Sequence, residues 1–313
     1  MKMKMIIDTD GVSDDMQAIS LAIQHPDVQL IAVTTVHGCV SVEQATANVA
    51  RLQRANAVQE PIPIYQGLSE ALIRKPFVVH PFFGIDGIGD RPDLFPEASS
   101  ADFAAQEAEP AVLALSRLVK EHEDVTLVCI GPLTNVAIAY KLDPKFAKRL
   151  KKLVILGGNY LGVGNMDEMS SAEFNFGSDP EAAKIVIEEM NTPITMVPWE
   201  VHYLRGRSVM TNYNRQYNYC DEIAVAVAIN EGLIASKTMN LRIGIELAGQ
   251  VTRGQVVVDW TGVLYGRDGT LTECRIAKDV DRSRPTIRVV VDYDVKALDR
   301  WMQNTVLRKE APW

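Results

Sequence analysis

Short apolar runs alternate with segments of helical length along the first two-thirds of the chain, and this alternation constrains the fold more than any other feature. Met5–Asp8 and Val28–Val36 are predicted strands, and Asp14–Gln24 between them is a predicted helix. Two consecutive strands joined by a helix favour a parallel pair with the helix packed on one face. The sequence therefore predicts an α/β fold, with a mainly parallel (mixed) central sheet and helices on both faces.

The alternation continues to about residue 197 and is followed by a β-rich region. Further strands are predicted at Ile62–Tyr65, Val125–Ile130, Leu153–Leu156 and Ile194–Val197, and further helices over residues 41–55, over Pro110–His122, from Pro132 onwards and over Asp179–Met190. The later strands are expected at Ile245–Ala248, Val256–Trp260 and Thr286–Tyr293, before a helix around Trp301 that Asp294 caps. No repeat or linker interrupts this order, which predicts a single domain over residues 1–313.

Two local patterns refine this prediction. Ser41 stands three residues before Gln44, the spacing of a capping box, and so marks the start of a helix. The stretch from Lys75 to Ser100 is rich in Pro, Gly, Phe and Asp and is predicted to be a long loop. Loops of this length are often functional.

Composition narrows the range of partners and compartments. The formal net charge of -8 disfavours nucleic acid, because phosphate binding needs a basic surface. No apolar segment is long enough for a membrane helix, and no signal peptide is recognisable at the N-terminus. The four cysteines, Cys39, Cys129, Cys220 and Cys274, lack CxxC spacing, so we expect free thiols and a cytoplasmic location. Cys129 lies in an apolar run and is expected in the core.

Four aspartates follow the first predicted strand: Asp8, Asp10, Asp14 and Asp15. Their mutual repulsion would be costly without a cation, and carboxylate oxygens suit Ca²⁺ or Mg²⁺. The alternative is an acidic turn that caps the next helix, which leaves Asp8 and Asp10 unexplained. Ligands of parallel sheets bind at the carboxyl ends of the strands, where other polar segments also fall. Those segments are residues 37–39, 131–135, 157–159 and 199–202.

At this point the chain resembles the inosine-uridine-preferring nucleoside hydrolases. DTDGVSDD is similar to the DTDPGxDD signature of that family, and the similarity extends over most of the chain. The matching blocks are VTTVHG at 33–38, GIDGIGD at 84–90, GPLTNVA at 131–137, AEFN at 172–175, DPEAA at 179–183 and TRG at 252–254. Their order and spacing are specific, although each block is weak alone. The resemblance implies a Rossmann-like fold and calcium-dependent hydrolysis of ribonucleosides to ribose and free base.

The resemblance also implies roles for individual residues. Asp10, Asp15, the backbone carbonyl of Thr134 and Asp221 would bind Ca²⁺, and Asp8 would support them. Asp14, Asn165, Glu173 and Asn175 would hold the ribose hydroxyls. Asp10 would act as general base toward a water molecule that the cation activates. The family further implies a homodimer or homotetramer.

Three positions depart from the family pattern. Cys220 precedes Asp221 where the best-known members have His, so Cys220 is a candidate acid for the departing base or a residue that merely lines the pocket. Cys39 replaces Asn, and Phe83 stands where the loop often presents His. His202 is a further candidate for contacting the base. If Cys39 and Cys220 share the active-site rim, oxidation could link them.

Three other functions compete with the hydrolase. DTDGV at 8–12 also fits the motif of haloacid-dehalogenase phosphatases, in which Asp8 would be the nucleophile. That motif does not require Asp14 and Asp15, nor the later blocks. The changed His and Asn positions motivate a non-catalytic nucleoside- or ribose-binding protein. A nucleoside phosphorylase would need a phosphate site, and no glycine-rich phosphate loop or basic cluster accompanies the motifs.

Overall fold

The structure is a computed structural model that describes residues 2–73, 80–91, 93, 95, 97–166, 170–205, 218–260, 286–308 and 313. The strands are β1 Met3–Thr9, β2 Val28–Thr35, β3 Ile64–Gln66, β4 Val125–Cys129, β5 Leu150–Leu156, β6 Ile194–Val197, β7 Lys237–Leu241, β8 Ile243–Ile245, β9 Val256–Val258 and β10 Ile287–Asp292. The helices are α1 Ser13–Gln24, α2 Val42–Ala55, α3 Ser100–Phe103, α4 Ala111–Glu121, α5 Thr134–Leu142, α6 Phe146–Arg149, α7 Phe174–Ser178, α8 Pro180–Glu189, α9 Trp199–Arg205, α10 Asp221–Ile234 and α11 Val295–Leu307.

Eight strands form one sheet in the order β3-β2-β1-β4-β5-β6-β10-β7. All neighbours are parallel except the edge strand β7, which runs antiparallel to β10. Strands β8 and β9 form a separate antiparallel pair. The prediction of a mixed, mainly parallel sheet is confirmed. Because β1, β4, β5 and β6 are adjacent and parallel, the segments that follow them meet at one edge of the sheet.

Helices cover both faces of this sheet, as predicted. On one face, buried side chains of α4 and α8 such as Leu115 and Val186 pack against the strands. On the other face, α1, α10 and α11 contribute Ile19, Ile223 and Leu298 to a second apolar cluster. Each face of the central strands is therefore apolar, which explains their nearly continuous hydrophobic runs.

The predicted caps and core residue are also observed. The Ser41 hydroxyl accepts a hydrogen bond from the Gln44 backbone N–H at 3.2 Å, although the Gln44 side chain donates to Asn48 at 3.0 Å. The Asp294 carboxylate accepts from the Ala297 N–H at 3.0 Å at the start of α11. Cys129 is fully buried in β4.

Other boundaries differ from the sequence prediction. The strand expected at Ile245–Ala248 ends at Ile245, because the Glu246 carboxylate accepts the N–H groups of Ala248 and Gly249 and forms a turn. The edge strand β7 was not predicted, since its polar, partly exposed residues lack an apolar run. The long loop contains a short 3-10 helix, Pro81–Phe83, and ends where α3 begins. Residues 74–79, 92, 94 and 96 of that loop lie outside the described residues.

No helix in the described part of the chain combines the length and apolar character that a bilayer crossing requires.

Replacing Asp294 by Ala removes the side-chain acceptor at the start of α11, whose Trp301 packs into the core. We expect the free energy of unfolding to fall by about 1 kcal/mol, measured by urea denaturation. Arg300→Ala, at an exposed position of the same helix, should change it by less than about 0.5 kcal/mol. Equal losses for both variants would contradict the capping role.

Candidate active site

A cleft of about 480 Å³ lies at the carboxyl edge of the sheet. It is lined by residues from the segments after β1, β2, β4, β5 and β6 and from the start of α10. Most of the residues predicted from the sequence line it, namely Asp10, Asp14, Asp15, Cys39, Phe83, Asn165, Glu173, Asn175, His202, Cys220 and Asp221. Asp8 and Thr134 are not among the lining residues.

Hydrogen bonds hold two of the aspartates in place. Asp10 accepts the backbone N–H of Cys39 on Oδ2 at 2.7 Å. Asp15 accepts the Thr9 hydroxyl on Oδ1 and the Val12 N–H on Oδ2, the latter at 3.2 Å. Asp15, near the start of α1, is thus held by the residues between β1 and α1, and Asp10 is held by the loop after β2.

Gly38 makes the position of Asp10 possible. A Cβ atom at residue 38 would lie 2.2 Å from Asp10 Oδ2, closer than any real contact. The absence of a side chain therefore allows the loop after β2 to approach the Asp10 carboxylate.

The five carboxylates of the cleft have no basic counter-ion among the described residues. No lysine or arginine in the described ranges lines the cleft or forms an ion pair with Asp10, Asp14, Asp15, Glu173 or Asp221. Oδ1 of Asp14 is buried without a hydrogen-bond partner. Buried charges in proteins are normally paired or bound to a metal ion. Oxygen donors of this kind fit a hard divalent cation.

Burial and mutual repulsion raise the pKa values of these groups. Burial, followed by the nearby charges of Glu222 and Asp10, raises the pKa of Asp14 from 3.8 to about 7. Burial, followed by Asp14 and Asp15, raises the pKa of Asp221 well above its usual range. Burial also raises the pKa of Glu173 to about 7. Ionisation of these carboxyl groups therefore costs free energy, because they are removed from water and repel one another. A bound cation would lower that cost.

Cys220 lies at the acidic end of the cleft. Its sulfur and one carboxylate oxygen each of Asp14 and Asp221 lie within 4.8 Å of one another. The Cys220 backbone N–H donates to Glu222 at 2.9 Å, which fixes the start of α10. Burial, followed by the charge of Asp221, raises the pKa of the Cys220 thiol well above its usual range, so the group is protonated at neutral pH.

Asp8 lies one layer beneath the cleft. It is fully buried, and its Oδ1 accepts the Thr34 hydroxyl and the Asn135 amide, the latter at 2.8 Å. The same Asn135 amino group donates to the Thr35 carbonyl at 2.9 Å. Burial raises the pKa of Asp8 to about 7. The position of Asp8 suits a support for the strand ends and does not present a nucleophile to the cleft.

The structure does not bring Thr134 to the cleft. Thr134 is the first residue of α5 and is fully buried, and its hydroxyl donates to Asp179 at 2.7 Å. A carbonyl at this position points along the helix toward the amide four residues on. Ile130, which directly follows β4, lines the cleft instead, and its carbonyl accepts from the Asn175 amide at 3.2 Å.

Three of the predicted ribose-binding residues, Asn165, Glu173 and Asn175, form a polar wall of the cleft. The Glu173 carboxylate accepts the N–H groups of Gly158 and Phe176 on Oε2, at 2.7 and 3.1 Å, and that of Asn175 on Oε1, at 2.9 Å. Asn165 accepts the N–H of Phe174 at 2.7 Å, which fixes the orientation of its amide. These bonds hold the side chains of Glu173 and Asn165 at fixed places on the cleft wall.

Aromatic side chains complete the cleft. Trp199 and His202 stack with ring centroids 4.2 Å apart, and Nδ1 of His202 lies 2.9 Å from the Tyr219 carbonyl. Burial lowers the pKa of His202, so its ring is neutral and carries its proton on Nδ1 toward that carbonyl. Phe83, with Phe82 beside it at 4.8 Å, lines the cleft on the side of the long loop.

Among the lining residues that were not predicted, His80 and Asn218 carry polar side chains and lie outside the motif blocks. The His80 ring packs edge-on against Phe174 at 5.2 Å, and burial lowers its pKa. His80 stands four residues before Gly84, the first residue of the GIDG block. This position near a family block was the signal in the sequence that could have identified His80 as a site residue. Asn218 precedes the Tyr219–Cys220 pair and carried no motif of its own.

An acidic cleft whose carboxylates could hold a cation lies at the carboxyl edge of a mainly parallel sheet. The sequence pattern of the family described as inosine-uridine preferring nucleoside hydrolase matches residues 5–299. The chain therefore belongs to this family, and its relatives in that family include ribonucleoside hydrolases, enzymes that cleave N-glycosidic bonds.

Individual relatives agree with this assignment. The chain is 38% identical to uridine nucleosidase 1 of Arabidopsis thaliana over 58% of its length and spans 52% of that protein. It is 30% identical to the non-specific ribonucleoside hydrolase RihC of Escherichia coli, with 96% of the chain and 97% of that protein covered. The structure of an inosine-guanosine nucleoside hydrolase superposes with a TM-score of 0.80 at 28% identity, over 98% of this chain and 99% of that one.

Replacing Gly38 by Ala should displace the Asp10 carboxylate, because the new Cβ would overlap Oδ2. We expect the turnover of ribonucleosides to fall by at least about 100-fold, because misplacement of a catalytic group commonly has an effect of this size. We also expect the rise in melting temperature on adding Ca²⁺ to be lost. Gly232→Ala is the matched control, since a Cβ there meets no atom closer than 3.7 Å. If Gly38→Ala keeps full activity and Ca²⁺ stabilisation, the close approach is unimportant.

The raised carboxyl pKa values predict how stability depends on pH. Asp8 and Asp14 change from 3.8 in their ordinary environment to about 7 in the fold, so between about pH 4 and 7 the folded state holds protons that the unfolded chain has released. Stability of the EDTA-treated protein should therefore fall as pH rises through this window. Added Ca²⁺ should raise the melting temperature more at pH 8 than at pH 5, because it competes with protons.

Scanning calorimetry at both pH values measures this difference. Asp14→Asn removes one of the titrating groups, so the stability of this variant should fall less as the pH rises through the same window. A Ca²⁺ effect that is equal at pH 5 and pH 8 would contradict the proposed coupling between cation and carboxylates.

Proposed function

We propose that the protein is a calcium-dependent ribonucleoside hydrolase that cleaves the N-glycosidic bond and releases ribose and free base. One observation carries this proposal: five carboxylates without a basic partner in the described part of the chain share a cleft with two fixed asparagine amides and an aromatic wall. The carboxylates suit a cation, the polar wall suits sugar hydroxyls, and the aromatic wall suits a planar base. Family membership supports the reaction class.

The residues present fit a calcium ion. Asp10, Asp15 and Asp221 would hold it through carboxylate oxygens. The position of Ile130 in the cleft favours its backbone carbonyl over that of Thr134 as a further oxygen donor. A bound divalent cation lowers the pKa of a water molecule in its shell and would supply the nucleophile at neutral pH.

Asp10 is the proposed general base. Its Oδ2 is held by the Cys39 N–H, so the carboxylate is fixed in the cleft when it takes the proton of the attacking water. Cleavage builds positive charge on the ribose ring, as in other glycoside hydrolyses. The surrounding carboxylates Asp14 and Glu173 stabilise that charge as it develops.

The ribose would lie against Asp14, Asn165, Glu173 and Asn175. Asn165 and Asn175 are held by hydrogen bonds to Phe174 and to the Ile130 and Leu156 carbonyls, so the sugar meets a wall that is already ordered. Preorganised contacts of this kind orient the anomeric carbon for attack. They also explain why 2′-deoxyribonucleosides should be poor substrates.

The base would lie on the aromatic side of the cleft, near Phe83, Trp199 and His202. His202, neutral and held by Tyr219, is placed to contact a planar ring. The protonated Cys220 thiol lies at the acidic end, beside Asp14 and Asp221. We propose Cys220 as a proton donor toward the leaving base, and Cys39 as a lining residue whose main contact is its backbone N–H to Asp10.

The competing functions have less support. A phosphatase that uses Asp8 needs that side chain in the cleft, and Asp8 is buried beneath it. A phosphorylase needs a cation for phosphate, and none of the described lining residues is lysine or arginine. Asp10, Asp15 and Asp221 favour a cation site over a purely sugar-binding protein, because these carboxylates share the cleft and form no ion pair with a described lysine or arginine. Oxidation linking Cys39 to Cys220 is disfavoured because burial raises both thiol pKa values.

The single domain, the homodimer or homotetramer and the cytoplasmic location stay predictions.

A reducing-sugar assay over inosine, uridine, cytidine, adenosine and guanosine tests the proposed function. We expect ribose release that EDTA abolishes and Ca²⁺ restores, and that does not require phosphate. Asp10→Asn, which keeps the side-chain shape, should lower turnover by about 1000-fold because the general base is lost, and Asp10→Ala should abolish it. Phosphate release from p-nitrophenyl phosphate, or nucleoside binding without turnover, would contradict the proposal.

Replacing Cys220 by Ala tests the leaving-group step. If the thiol donates a proton to the base, the variant should slow inosine hydrolysis by about 100-fold but p-nitrophenyl riboside hydrolysis much less, because p-nitrophenolate needs no protonation. Cys39→Ala is the matched control and should slow both substrates equally. Equal effects of Cys220→Ala on both substrates would remove Cys220 from proton donation.

A further inference from the structure

A buried carboxylate, Glu200, ties helix α9 to the turn that follows β5. Glu200 is 1% exposed and does not line the cleft. Its Oε1 accepts the backbone N–H groups of Leu161 and Val163 at 2.8 and 3.2 Å, and its Oε2 accepts that of Tyr160 at 3.0 Å. Three backbone N–H groups of the turn therefore converge on one side chain.

The turn held by Glu200 leads directly to Asn165. Two hydrogen bonds hold Asn165 on the side away from this turn. Its backbone N–H donates to the Ala172 carbonyl at 3.1 Å, and its Oδ1 accepts the Phe174 N–H at 2.7 Å. Because Asn165 lies two residues beyond Val163, a shift of the turn would move this polar side chain in the cleft.

The helix that carries Glu200 also carries the aromatic wall. Trp199 and His202 lie on either side of it in the sequence and stack at 4.2 Å in the cleft. The Trp199 N–H donates to the Gly158 carbonyl at 2.9 Å, so the helix start and the strand end are joined on this side too. Glu200 thus connects the aromatic wall with the wall that holds Asn165.

We propose that Glu200 is a positioning residue that sets the separation between Asn165 and the Trp199–His202 pair. This rests on the proposed function, in which these two groups contact the ribose and the base of one substrate. A carboxylate can accept all three N–H groups. The amide of Gln would turn an amino group toward at least one of them, which would open the turn.

A double-mutant cycle tests the proposal with uridine and inosine as substrates. Glu200→Gln should lower kcat/KM by about 10- to 100-fold, because small misplacements of binding groups have effects of this size. In the Asn165→Ala background the same change should lower kcat/KM by less than about 3-fold, since the group that Glu200 positions is gone. Additive effects would overturn the proposal.

A control separates positioning from loss of stability. Asp102 is another buried carboxylate that accepts a backbone N–H, from Ser99 at 2.8 Å, and it does not line the cleft. Asp102→Asn should lower the melting temperature and leave kcat/KM within about twofold. If it lowers kcat/KM as much as Glu200→Gln does, the effect is general destabilisation and the proposal fails.

Two further outcomes are distinguishable. If the unmodified protein releases ribose from no nucleoside, the proposed function itself fails. If the unmodified protein is active and Glu200→Gln folds with unchanged kcat/KM, the positioning role alone is wrong. Should Glu200→Gln not fold, Glu200→Asp, which keeps the charge on a shorter side chain, takes its place in the same cycle with the same expected non-additivity.

Discussion

The site depends on the concentration of carboxylates at the carboxyl edge of the sheet, which no lysine or arginine of the described residues neutralises. Two segments far apart in sequence bring these carboxylates together. The loop after β1 and the start of α1 provide Asp10, Asp14 and Asp15, and the start of α10 provides Asp221. Desolvation raises their pKa values, and without a cation each further ionisation becomes harder. A bound divalent cation would replace this repulsion with attraction between the cation and the carboxylates.

The surrounding fold keeps those carboxylates from moving apart. Asp10 is held by the loop after β2, which can approach because residue 38 is glycine. Beneath them, Asp8 and Asn135 join β1, β2 and the start of α5 by hydrogen bonds in a fully buried layer. The buried network therefore fixes the strand ends and, with them, the distances between the ligands. Residues that never contact the substrate determine the geometry of the cleft.

The sequence predicted the architecture where local patterns carry it. Apolar runs located the central strands, and the rule that ligands bind at the carboxyl ends of parallel strands predicted that Asp10, Cys39 and His202 share one cleft. Asn165 and Cys220 were expected there from the family resemblance. The edge strand β7 was missed because half-exposed polar residues give no apolar signal. A local sequence pattern is sufficient to predict a residue's position when that position depends only on its own strand or helix.

Non-local geometry accounts for the rest. The GPLTN block could not show that the helix begins at Thr134 and leaves Ile130 facing the cleft. His80 reaches the cleft only through the path of a long loop. Glu200 was visible as an acidic residue after β6, but its partners are backbone N–H groups 37 to 40 positions earlier, which no sequence pattern specifies.

The most direct test of the account is a crystal structure of the Asp10→Asn protein grown with Ca²⁺ and a ribonucleoside. The account predicts one anomalous difference peak about 2.3–2.6 Å from carboxylate oxygens of Asp15 and Asp221. It also predicts the ribose against Asn165 and Asn175 and the base beside Trp199 and His202. A nucleoside bound in the cleft with no cation at these carboxylates, or a cation bound elsewhere, would contradict it.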